Sequence, residues 1–139
     1  MKPRHTHLLR KSFAAIEVHG PIAALIFYQE LFERDPALRR LFQSDIEVQA
    51  KKLTEMLGAL ISLLDHGPAL ETELKAMGAR HAAYGVTEAH YATVKAALMA
   101  MLEQILGDGL KGEVREAWTQ LYAKVENLMK QGAATEATA

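Results

Sequence analysis

The sequence contains no cysteine. That excludes disulfide staples, thiolate catalysis, Cys-ligated zinc and iron–sulfur clusters. A bound metal must then be held by His, a carboxylate or a thioether. An excess of one charge is missing as well: 16 Lys and Arg face 17 Asp and Glu, a net charge of −1. A basic footprint for nucleic acid or an anionic membrane surface is therefore absent. No stretch approaches the ~20 consecutive apolar residues that span a bilayer. The basic opening MKPRHTHLLRKSF never reaches the apolar run of a secretory signal, so the cytoplasm is the expected compartment. β-branched residues never cluster in alternation, so strands are not expected.

What is present is helical periodicity. The chain has 139 residues, half of them apolar and 24% charged, which fits one packed domain over residues 1–139. Its core is expected over about residues 6–131. The closing GAATEATA, residues 132–139, is small and polar and reads as a flexible tail. The prolines and glycines fall as punctuation between helices. Gly20-Pro21 separates a helix over Thr6 to Val18 from a second that starts at Pro21. Asp35-Pro36 opens a short third, PALRRLF. Ser44 or Asp45 caps a long helix from Ile46 to Leu64. Asp65-His66-Gly67-Pro68 is a turn before a helix from Pro68 to Tyr84. Thr87 caps the next, which runs to Leu106, and a last helix covers Gly112 to Lys130. About seven helices and no strands make an all-α fold. Gly107 to Gly112 fits the dinucleotide pattern G-x-G-x-x-G, but it follows a helix in a chain without strands and reads as an interhelical loop.

Three polar side chains lie on apolar helical faces. In the Ile46–Leu64 helix, Gln49 shares the stripe of Ile46, Leu53, Leu57, Leu60 and Leu64. In the next helix His81 continues the stripe of Leu70, Leu74 and Met77. Tyr28 sits in the middle of an arc formed by Ala24, Leu25, Leu31 and Phe32. Taken singly, each has a bland reading: a Gln reaching solvent, a satisfied core His, a Tyr whose hydroxyl finds one partner. Spacing favours more. Gln49 is 16 residues before Asp65, and His81 is 16 residues after it. If the two helices fold back as an antiparallel hairpin, two arms of ~24 Å bring Gln49 and His81 opposite each other at its open end. An imidazole on one wall and a hydrogen-bonding side chain on the other suit a metal-centred planar cofactor with apolar walls.

From about Leu8 to Met129 the chain resembles the bacterial single-domain globins of the flavohaemoglobin-like class. FYQELFERDPALRRLF is similar to that family's second-helix Tyr, its Pro at the third helix and its haem-contacting Phe, here Tyr28, Pro36 and Phe42. VQAKKLTEMLG resembles the distal helix, with Gln49 as the distal polar residue and Leu53 one turn later. GARHAAYGVTEAHY resembles the proximal stretch, with His81 as iron ligand and Tyr91 ten residues on. EAWTQLYAKV resembles the last helix, with Trp118 and Tyr122. One element departs: eleven positions beyond Tyr122, where the family carries a Glu that joins the proximal His and Tyr, this chain has Ala133, and Glu126 stands elsewhere.

The resemblance implies a globin fold around haem b, with His81 as the metal ligand. Tyr28 and Gln49 would donate hydrogen bonds to a bound ligand. Phe42 and Leu53 would pack on the porphyrin, and Met77, Val86, Tyr91, Val94, Leu98 and Tyr122 would line its pocket. Lys52 and Arg80 would reach the haem propionates. The implied ligands are dioxygen, nitric oxide and other small haem ligands. The first functional reading is reversible, high-affinity dioxygen binding for storage or transport. The alternative is nitric oxide dioxygenation, which needs a separate reductase because no flavin or nicotinamide domain is expected within 139 residues. A gas sensor ranks last. Monomer and homodimer remain equal alternatives. His5 and His7 are expected in a frayed N-terminus.

Overall fold

The computed structural model describes residues 2–42 and 45–138, with side chains to residue 134. Among these residues the elements are helices: α1 (Pro3–His19), α2 (Pro21–Arg34), a 3-10 helix Pro36–Leu41, α3 (Ile46–Ser62), α4 (Gly67–Ala83), α5 (Glu88–Leu106), a 3-10 turn Gly107–Gly109 and α6 (Glu113–Thr138). Their starts have local causes. Proline occupies the first turn of α1, α2, α4 and the 3-10 helix, where its missing N–H is no loss. The Asp45 carboxylate accepts from the Glu47 N–H at 2.8 Å and caps α3; the alternative cap, Ser44, lies outside the described residues. At the head of α5 the His90 Nδ1 accepts from the Thr87 N–H at 3.0 Å. Between α1 and α2, Gly20 turns the chain with φ +43°, a conformation that disfavours any side chain.

Two helix boundaries and one packing arrangement differ from expectation. The first helix begins at Pro3, so His5 lies inside a helix and is buried (4% exposed) rather than frayed. The last helix does not stop at Lys130 but continues to Thr138, and Gly132, assigned to the tail by its composition, is buried. Finally, α3 and α4 do not close as a packed hairpin. α4 lies along α6, while α3 leans on α2 and α1. The two helices joined by the Asp65–Pro68 turn part instead of pairing. The Gly107–Gly112 segment is the interhelical connection expected of it.

The core gathers where α1, α2, α4, α5 and α6 meet. Trp118, Leu9, Leu31, Leu70, Leu74, Met101 and Leu102 have essentially no exposed surface. A buried indole costs stability unless its N–H is satisfied. Here Trp118 Nε1 donates to Ser12 Oγ at 2.9 Å, and Ser12 in turn donates to the Leu8 carbonyl at 2.7 Å. This core is the floor on which the α3 and α4 walls stand.

Candidate functional site: a crevice between α3 and α4

Because α3 and α4 part, their inward stripes cannot cover each other. Phe42, Leu53, Leu57, Val86 and Val94 pack on the core yet keep part of their surface open. Apolar side chains at helical spacing that stay half-covered leave surface that a large apolar group could cover.

On the α4 wall stands His81, half-buried. Its Nδ1 lies 2.8 Å from the Met77 carbonyl oxygen one turn back. A carbonyl only accepts, so Nδ1 carries the proton and Nε2 keeps its lone pair. Burial, more than the nearby Arg80 charge, holds the imidazole below its usual pKa range, against the opposing Met77 hydrogen bond. The ring is thus neutral near pH 7. Among the described residues Nε2 has no hydrogen-bond partner. A neutral imidazole oriented through Nδ1 with a free Nε2 has the chemistry of a metal ligand.

A second group of the expected residues is brought together by α2, the 3-10 helix and α3. Tyr28 is 4% exposed, and its ring lies in an aromatic cluster: edge-on to Phe27 and Phe42 (both 5.2 Å) and stacked on Phe32 (6.0 Å). Its hydroxyl donates to the Gln49 backbone carbonyl at 3.2 Å. Burial pushes the phenol up to about 12, so it stays a protonated donor. Gln49 itself is half-buried on α3.

The remaining expected residues divide. Met77 is buried and acts through its backbone carbonyl, a role that side-chain type does not signal. Leu98 is buried in the core cluster. Tyr91 and Tyr122 do meet, but through the backbone: the Tyr122 hydroxyl donates to the Tyr91 carbonyl at 2.6 Å. The Tyr91 ring lies beneath the Lys130 ammonium (5.3 Å), which pairs with Glu126 at 3.0 Å and Glu88 at 3.7 Å. Sequence reasoning missed Lys130, because a Lys near a helix end reads as solvated. Burial raises both phenols above their usual range, and the Glu126 charge adds to it. With Ala133 where a carboxylate was sought, the described hydrogen bond that orients His81 is donated by its Nδ1 to a neutral carbonyl. Arg80 pairs with Glu73 at 3.3 Å on its own helix, and Lys52 is exposed.

A globin family model matches residues 25–129, three-quarters of the chain. The chain belongs to the globin family. It is 28% identical over 131 residues to a flavohemoprotein of Xylella fastidiosa, covering 92% of this chain and 33% of that protein. The chain thus spans about a third of the length of the flavohemoproteins it matches. A neuroglobin of Chaenocephalus aceratus is 28% identical over 146 residues, covering 95% and 92% of the two chains. Among solved structures, an engineered carbene transferase derived from a candidate nitric oxide dioxygenase of Rhodothermus marinus superposes with a TM-score of 0.84 at 28% identity, covering 97% and 94%. The globin's cofactor is haem b, and the chemistry of the side chains present suits it: a neutral imidazole on α4 whose Nε2 makes no hydrogen bond among the described residues, a protonated phenol on α2, and half-covered apolar side chains on α3 and α5. No helix of the described residues is long and apolar enough to cross a membrane.

Proposed function

We propose that this globin binds dioxygen reversibly and tightly, with His81 Nε2 as the iron's protein ligand and Tyr28 and Gln49 on the opposite side. When bound, haem supplies an iron centre that takes up a diatomic ligand and polarises it. The chain does the rest. His81 is kept neutral by burial and oriented by the Met77 carbonyl. Phe42, Leu53, Val86 and Val94 would pack against the porphyrin and exclude water, which would strengthen any hydrogen bond made inside. The observation that carries the reading is the Tyr28 hydroxyl: buried, protonated, and, among the described residues, bonded to the Gln49 carbonyl alone at 3.2 Å. A long bond of that kind is readily exchanged for one to a partially negative ligand atom. A buried charge-assisted hydrogen bond contributes about 1.5–3 kcal/mol, a tenfold to hundredfold effect on affinity. Tyr28→Phe should therefore speed dioxygen dissociation by that factor in stopped flow; an unchanged off-rate would remove Tyr28 from the role.

A second reading is favoured by the flavohemoproteins, which match this chain over a third of their length. The same donors suit nitric oxide dioxygenation, in which nitric oxide, dioxygen and one electron give nitrate. A separate reductase in the cytoplasm would deliver that electron. Sustained nitric oxide consumption with reduced nicotinamide cofactor and a reductase supports this reading; a single turnover followed by slow re-reduction with every cellular reductase supports dioxygen binding alone.

A further inference from the structure

The contact between α4 and α6 is of an unusual kind. The helices run antiparallel where they cross, with Gly78 of α4 against Met129 of α6 and Gly132 of α6 against Lys75 of α4. A side-chain carbon on Gly78 would lie 2.5 Å from the Met129 Cα and closer still to its carbonyl oxygen. One on Gly132 would lie 2.7 Å from the Lys75 Cα, again closer to the oxygen. Cβ atoms essentially never approach another atom within 3.0 Å. Helix backbones usually stay 8–10 Å apart because side chains intervene. Here backbone meets backbone, as small residues permit, and each glycine lies three residues from the residue its counterpart meets. The two contacts form one reciprocal crossing.

The crossing lies one turn before His81. Gly78 is the neighbour of Met77, whose carbonyl holds His81 Nδ1 at 2.8 Å. The imidazole is thereby referenced to the α6 backbone through rigid main chain, with no flexible side chain between. We propose that Gly78 and Gly132 are positioning residues for the proximal imidazole: their crossing sets the depth and tilt at which His81 is presented to the crevice, and so tunes ligand binding from the side opposite Tyr28. This rests on the assignment of His81 as the iron ligand. An added methyl at either glycine must push α4 off α6, carrying the Met77 carbonyl and the imidazole with it. Groups that orient a metal-bound histidine typically alter binding or activity by about 10–100-fold when changed.

The test uses the haem-loaded protein. Gly132→Ala is compared with Leu9→Ala, which empties a fully buried position on α1. Gly78→Ala, which sets a methyl against the same crossing from the α4 side, serves if Gly132→Ala does not load haem. The readouts are the iron–histidine stretching band of the ferrous protein by resonance Raman and the carbon monoxide association rate by flash photolysis. Gly132→Ala or Gly78→Ala is expected to shift the band and change the association rate roughly tenfold. Leu9→Ala, with a comparable fall in Tm, should move neither. If the crossing variants keep the wild-type band and rate, or move them only as Leu9→Ala does, the proposal is overturned. Failure of the His81 assignment looks different: the wild-type protein itself would then lack an iron–histidine band.

Discussion

The two walls of the crevice are anchored in opposite ways. The α4 wall, which carries His81, is seated backbone to backbone on α6 through Gly78 and Gly132, with Leu70, Leu74 and Met77 buried beneath it. Over the first three turns of α3, by contrast, Ala50 is the buried residue, and Gln49, Leu53, Met56 and Leu57 are half-covered. One long hydrogen bond, from the Tyr28 hydroxyl to the Gln49 carbonyl, ties it to α2. The proposed site, which would hold an iron on one side and exchange ligands on the other, suits this asymmetry. The holding side is set by steric contact, which is stiff. The exchanging side is set by a hydrogen bond and partial burial, which yield at small cost.

The most severe way to break the comparison is to remove the fixed side's ligand. His81→Ala should abolish stable haem loading, seen as loss of the Soret band on titration with haem, and added imidazole should restore it in part. A protein that binds haem normally without His81 would refute the assignment of the walls. A packing contrast comes next. Leu74→Ala, at a fully buried α4 position, should cost about 2–5 kcal/mol in urea unfolding. Leu53→Ala on half-covered α3 should cost distinctly less. Equal losses would mean that α3 is as firmly seated as α4.

Acid sharpens the same contrast. The folded-state pKa of His81 is lowered by burial, so the unfolded chain binds a proton there that the folded chain does not. The stability contributed by a neutral His81 is fully present above the unfolded value of about 6.5 and is lost as pH falls through that value towards the lower folded one. In the haem-free protein, His81→Asn should flatten this part of the pH–stability curve, while Tyr28→Phe should leave its shape unchanged. The smallest effect is expected at the rim. The Arg80–Glu73 pair is exposed, so Arg80→Gln should change stability by less than about 1 kcal/mol by thermal unfolding.

Much of this was legible before the fold. Pro21, Pro36 and Pro68 mark helix starts because a missing N–H is harmless there, and 3.6-residue spacing places Leu70, Leu74, Met77 and His81 on one stripe. Gln49 and Tyr28 stood out as polar groups on apolar arcs. Gly132 did not, because a glycine among small polar residues has no periodic signal; its helix persists because α4 covers it. The orienting group of His81 was equally silent. Every residue has a carbonyl, and only the fold says which one a histidine meets.

Residue type and spacing alone thus determined the helices, the polar residues on their inner faces and the absence of any thiolate ligand. Those depend on local periodicity and composition, which the chain carries at every position. The parting of α3 from α4, the His81 tautomer and the seating of α4 on α6 were decided by tertiary structure. Each depends on two segments far apart in the chain, and on whether steric contact or a hydrogen bond brings them together.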